Sequence, residues 1–90
     1  MDVDALYHQL RDGKVLHFCS QLTEKEFAVG MIYEYGLWWT AIYTIQRSQK
    51  RPLRRRHGWL MERARIMELL ECNKYLYTHE EYMRNTYGRG

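Results

Sequence analysis

Between Glu34 and Glu62 the chain carries no carboxylate, yet that 27-residue window holds Arg47, Lys50, Arg51, Arg54, Arg55 and Arg56. The 90 residues contain 14 Lys and Arg against 11 Asp and Glu, for a net charge of only +3. One stretch is therefore +6 and everything else is −3. Like charges packed this closely repel one another unless solvent or an anionic partner screens them, and a localised basic field draws phosphates in. The same window carries Trp38, Trp39, Tyr43 and Trp59. Base-stacking groups beside phosphate-pairing groups point to nucleic acid more than to an acidic protein or a lipid.

Ninety residues suffice for one domain, 1–90, with a modest core. With 46% hydrophobic residues the chain should fold, and its eight tyrosines suggest half-wet surfaces or an interface. A homodimer would enlarge so small a core. Cys19 and Cys72, far apart and without a leader, read as two buried thiols in a reducing compartment. The start, with Asp2 and Asp4, lacks the apolar segment of a secretory signal. The longest apolar run, Leu37 to Ile45, is interrupted by threonines and falls short of the ~20 residues a membrane helix needs. A soluble, cytoplasmic protein with no membrane partner is expected.

The single proline, Pro52, disfavours helix at Arg51 and suits the first turn of a new one. It places a basic elbow, 47–57, between two helical halves. A first helix is expected from Asp4 to Arg11, capped by Asp2 or Asp4, with Leu6 and Leu10 inward and Gly13 ending it. Val15 to Ser20 reads either as a short strand or as a buried connector. Thr23-Glu24-Lys25-Glu26 is a capping box. The helix it predicts aligns Phe27, Ala28, Met31, Ile32 and Tyr35, and Gly36 stops it. From Leu37 to Lys50 a helical stripe of Leu37, Ala41, Ile42 and Ile45 competes with a strand alternation. In the second half Leu60, Ala64, Met67 and Leu70, broadened by Ile66, Leu69 and Leu76, predict a long helix. Thr78-His79-Glu80-Glu81 is a second capping box that opens a short last helix through Tyr82 and Met83. Tyr87 to Gly90 should fray. These elements predict an all-α fold of four to five helices with a corner at Gly36. The competing reading is α+β, with strands near 15–19 and 37–46.

Helix, glycine corner and helix make the skeleton of a helix-turn-helix. Over roughly Lys25 to Gln46 the chain resembles the helix-turn-helix domains of resolvases and phage regulators. Gly36 falls at the turn, Leu37 follows it, Ile42 and Ile45 fall where the second helix enters the core, and Tyr43 follows a buried aliphatic. Met31 and Ile32 are bulkier than the family's first helix usually has near the turn, and Trp38 and Trp39 stand where small or polar residues meet the DNA. An indole cannot make the bidentate hydrogen bonds that discriminate bases. The resemblance implies contacts from Thr40, Tyr43, Thr44 and Arg47, with Lys50, Arg51, Arg54, Arg55 and Arg56 holding phosphates. Trp38 and Trp39 join this set as stacking or packing groups, at least one of them also serving the core.

Catalytic patterns are missing. Gly30 and Gly36 are isolated, so there is no phosphate-binding loop. His17, Cys19, His57, Cys72 and His79 lack metal-ligand spacing, and each histidine reads as a satisfied, partly buried ring. Glu80 and Glu81 point about 100° apart on a helix and serve its positive end rather than acid–base chemistry. Ser20 and Ser48 have no nucleophile context. The sequence predicts no enzyme, no metal and no cofactor.

The leading expectation is a small regulator of transcription or recombination, dimeric, that sets helix 38–47 into a DNA groove while the basic elbow grips the backbone. A single-strand or RNA version would stack bases on Trp38, Trp39 and Tyr43. The alternative is a phage or mobile-element inhibitor or adaptor that docks on a host protein complex through exposed Trp and Arg. In the plainest reading, the basic run is only a solvated turn.

Overall fold

Side chains along the middle of the chain alternate between two faces, so period two rather than a three-and-four spacing organises the fold. The computed structural model describes residues 2–46, 51–59 and 62–87, with the backbone alone for 46, 51–59, 86 and 87. Its elements are α1 (Val3–Arg11), β1 (Leu16–Cys19), β2 (Glu26–Glu34), β3 (Leu37–Gln46), β4 (Arg51–Trp59), α2 (Arg63–Cys72), β5 (Lys74–Thr78) and α3 (His79–Tyr87). The strands form one sheet in the order β4-β3-β2-β1-β5, and every neighbouring pair is antiparallel.

One face of the sheet carries the core. Leu16 and Phe18 of β1 lie opposite Val29 and Phe27 of β2. Leu6 and Leu10 of α1 and Ile66 and Leu70 of α2 close over Leu16, Phe18 and Val29, with Met31, Ile42 and Tyr75 packed around them. Each such aliphatic or aromatic side chain contributes roughly 1.5–3 kcal/mol by leaving water. α1 begins as expected, with Asp2 Oδ1 accepting from the Asp4 backbone N–H at 3.0 Å, and with Leu6 and Leu10 buried. The second capping box also forms, the Thr78 hydroxyl accepting from Glu81 N–H at 3.2 Å.

β2 and β3 are joined by only Tyr35 and Gly36, whose φ angles are 55° and 75°. Glu34 pairs with Leu37 across this two-residue loop. Two consecutive positive φ angles give the turn whose twist matches that of the flanking strands. Glycine adopts this conformation freely, whereas Tyr35 is strained there by about 1–2 kcal/mol.

The all-α expectation is thus overturned. The fold is α+β, with three helices among the described residues, and the corner at Gly36 is a hairpin turn rather than the turn of a helix-turn-helix. The Thr23 capping box opens no helix. Ser20 Oγ accepts from Leu22 and Thr23 N–H, each at 3.2 Å, and Glu24 takes φ 58°, so these polar residues form a turn instead. Beyond it, Phe27, Val29 and Met31 share one face while Ala28, Gly30 and Ile32 share the other. β-Branched and aromatic residues stabilise that arrangement once both faces find neighbours. The competing strands near 15–19 and 37–46 are β1 and β3.

The long second-half helix is shorter than expected. α2 stops at Cys72, Asn73 Nδ2 donates to Leu69 O at 2.9 Å, and Leu76 belongs to β5. Ala64 is exposed, whereas Ile66 and Leu70 are the buried members of its stripe. Leu60 and the tail at 88–90 lie outside the described residues. Pro52 sits in β4, at one end of the sheet, the position where strands tolerate proline. The basic elbow is in its described part, 51–57, a strand. Among the described residues no helix is long and apolar enough to cross a membrane.

Replacing Tyr35, which is 92% exposed, with Asn should raise stability by up to about 1 kcal/mol in urea denaturation, because Asn tolerates positive φ. Gly36→Val should lower it by about 1–2 kcal/mol. A destabilising Tyr35→Asn would mean that the turn is built otherwise.

Candidate functional site

The strand conformation of β3 separates the predicted contact residues. Trp38, Thr40, Ile42 and Thr44 fall on the helix-covered face, and Leu37, Trp39, Ala41, Tyr43 and Ile45 fall on the other. Trp38 is held by its own fold: the Arg11 guanidinium lies 4.4 Å above its ring, and Tyr33 lies at 5.3 Å. Thr40 is 1% exposed, and its hydroxyl has no hydrogen-bond partner among the described residues. The exposed helical surface expected from Thr40, Tyr43, Thr44 and Arg47 therefore does not form. Thr40 is out of reach of a ligand, and Trp38 and Thr44 face away from Tyr43. Arg47 and Lys50 lie outside the described residues.

On the opposite face the half built by β2 and β3 presents Ile32, Trp39, Tyr43 and Ile45, all partly exposed. Trp39 Nε1 donates to Glu34 O at 3.1 Å, which fixes the indole. Tyr43 leans across Gly30, its Cε2 3.6 Å from where a Cβ would stand, with Val15 Cγ2 at 3.1 Å on the other side. A side chain at residue 30 would press on Val15 and touch the Tyr43 ring. Beside this surface runs β4, with Arg51 opposite Gln46, Arg54 opposite Thr44 and Arg55 opposite Tyr43. Arg56 is the extra residue at the register shift between Arg55, opposite Tyr43, and His57, opposite Ile42.

The other half of the same face holds a polar cluster that the sequence reading reduced to separate rings. His17 is fully buried, at 0%. Its Nδ1 lies 2.8 Å from Glu26 Oε2, and its Nε2 lies 3.0 Å from His79 Nδ1. Tyr77 donates its hydroxyl to Glu26 Oε1 at 3.0 Å. The Tyr82 ring covers His17 at 4.7 Å and 24°. Burial holds the His17 pKa below its usual 6.5 despite the hydrogen bond and charge of Glu26, which act the other way. The His79 pKa is also lowered, by burial and then by the nearby His17. His17 and His79 are 62 residues apart, and no sequence spacing announces their meeting. The available signal was a lone polar ring inside Val15-Leu16-His17-Phe18, where a strand must bury it.

Cys19 and Cys72 are both free. Cys19 is partly exposed and Cys72 exposed, so the expectation of two buried thiols is corrected. Among the described residues no three His, Cys, Asp or Glu side chains are grouped to hold a metal.

The unfolded chain takes up the two imidazole protons near pH 6.5, whereas the folded chain takes them up only at lower pH. Stability is therefore intact above pH 6.5 and falls as pH drops below it, by at most about 1.4 kcal/mol per pH unit for each ring. The urea midpoint should decrease from pH 7.5 to pH 5, and less steeply in His79→Asn, which cannot titrate. A midpoint that rises on acidification would contradict this charge assignment.

Comparison of the chain with protein-family models, curated proteins and solved structures finds no match in any of the three.

Proposed function

We propose that this protein binds single-stranded nucleic acid across the half-open sheet face, with β4 gripping the phosphates. The supporting observation is that Trp39 and Tyr43 share one face of β3, while Arg55 sits at the register position opposite Tyr43. Flat rings on a sheet accept any base by stacking, and a basic strand alongside tracks the backbone. A duplex groove is a poorer match, since β3 offers no recognition helix. The role is that of a small regulatory nucleic-acid binder, in keeping with a +6 window in a +3 chain.

A protein partner is the second reading, favoured by the exposure of Tyr33 at 60%, Tyr35 at 92% and Leu37 at 47% around the hairpin tip. Tyr33 lies on the helix-covered face and Leu37 on the other, so the tip offers apolar side chains on both sides to a partner that wraps around it. The two readings differ in their response to salt and in the residues that matter.

Fluorescence anisotropy with labelled single-stranded and duplex oligonucleotides at two salt concentrations tests the proposal. Single strands should bind more tightly, with a log–log salt slope of about 0.7 per phosphate neutralised. Trp39→Ala should cost about 1–3 kcal/mol. Joint replacement of Arg54, Arg55 and Arg56 by Ala should flatten the salt slope. Absence of binding at low salt, or indifference to Trp39→Ala, would discard the proposal in favour of a protein partner docking at the hairpin tip.

A further inference from the structure

The buried chain Glu26–His17–His79 has a fixed direction. A carboxylate only accepts, so the 2.8 Å contact to Glu26 places the His17 proton on Nδ1. Nε2 of the neutral His17 is then an acceptor, and His79 Nδ1, 3.0 Å away, must be the donor. The ring centroids are 5.2 Å apart with planes only 9° from parallel. Together with the short N···N distance, this describes two nearly coplanar rings meeting edge to edge, not one stacked on the other. The basic lone pair of the pair therefore resides on Nε2 of His79, the ring atom left over. Tyr82 stacks over both rings, at 4.7 Å from His17 and 5.8 Å from His79, and holds them in this plane.

His79 is partly exposed and borders a cleft of ≈ 300 Å³ with Gly13, Lys14, Val15, Thr78 and Glu80. It also adjoins the stacking surface. His79 N–H donates to Val15 O at 2.7 Å, and Val15 and Tyr43 flank Gly30 from either side. Tyr43, Gly30, Val15 and His79 thus form a row across the face proposed to bind a single strand. Lys14 brings a positive charge to the same cleft. The one carboxylate in the cleft, Glu80, lies 3.9 Å from Arg84.

We propose that His79 Nε2 is a general base that acts on the 2′-hydroxyl of an RNA strand bound to the sheet, positioned by His17 and Glu26. This rests on the single-strand reading. His79 takes the 2′-hydroxyl proton, and the freed oxygen forms a bond to the adjacent phosphorus. The bond from phosphorus to the 5′-oxygen of the next nucleotide breaks, that oxygen takes a proton from water, and the hydroxide left behind takes the proton from His79, which restores the base. The products are a 2′,3′-cyclic phosphate and a 5′-hydroxyl. The positive charge arriving on His79 is balanced through His17 by the buried Glu26 carboxylate, so the cluster accepts one proton without leaving an unpaired buried charge. Glu26, Tyr77 and Tyr82 face His17, and Glu80 and Lys14 share the cleft with His79. Of these only Glu26 is hydrogen-bonded to the relay as a carboxylate.

The test uses the full chain, an end-labelled single-stranded RNA and its all-deoxy counterpart, in EDTA. The wild type should cleave the RNA to cyclic-phosphate ends and leave the deoxy strand whole. His79→Asn keeps an amide donor toward His17 but removes the base. It should cut the rate about 100-fold or more while affinity stays within a factor of two. Glu26→Gln, a change at a positioning residue, should move the acid limb of the pH–rate profile to lower pH. RNA bound but not cleaved by the wild type, or cleaved equally by His79→Asn, overturns the general base and leaves the binding reading standing. A protein that neither binds nor cleaves RNA overturns both.

Discussion

The register of β1 against β2 decides what both faces of the sheet contain. Pairing Leu16 with Val29 and Phe18 with Phe27 puts four apolar side chains under α1 and α2. The same pairing sends His17 and Glu26 to the opposite side, within hydrogen-bonding distance of each other. A slip of one residue would exchange the two sets, burying a carboxylate among leucines and exposing a phenylalanine. The core and the polar cluster are consequences of one alignment, and neither can change without the other.

That polar cluster also explains how the last helix is held. α3 reaches the sheet through His79, whose ring meets His17 and whose backbone meets Val15, and through Tyr82, which is 7% exposed. An unpaired polar group at buried His17 would be costly, and both of its ring nitrogens have a partner. Apolar packing on one face and a satisfied polar network on the other divide the work of a small domain. The β2–β3 half of the second face is thereby left partly exposed, with Trp39 and Tyr43 on it.

Legibility from sequence followed the range of the interactions. α1 and the start of α3 were readable because a capping side chain acts within three residues, as Asp2 and Thr78 do. The β2–β3 hairpin was not, because Tyr35 is an unusual occupant of a positive-φ position that Asn or Gly normally fills. Thr23-Glu24-Lys25-Glu26 carries a helix-start pattern that a turn uses equally well, and the spacing of Phe27, Met31 and Tyr35 fits either period. Strand pairing settled the matter, and pairing is not local. Of the site, the basic run and the aromatics were visible in composition, but their division between two faces depended on the strand assignment. The His17–His79 bond joins residues at opposite ends of the chain, so only the closed sheet reveals it.

The central claim, that one buried proton relay joins the first strand to the last helix, is tested most directly by long-range ¹H–¹⁵N correlation of the histidine rings at neutral pH. The account predicts that His17 and His79 both carry their proton on Nδ1, with a cross-ring contact between them. Protonation of either ring on Nε2, with no such contact, would contradict it.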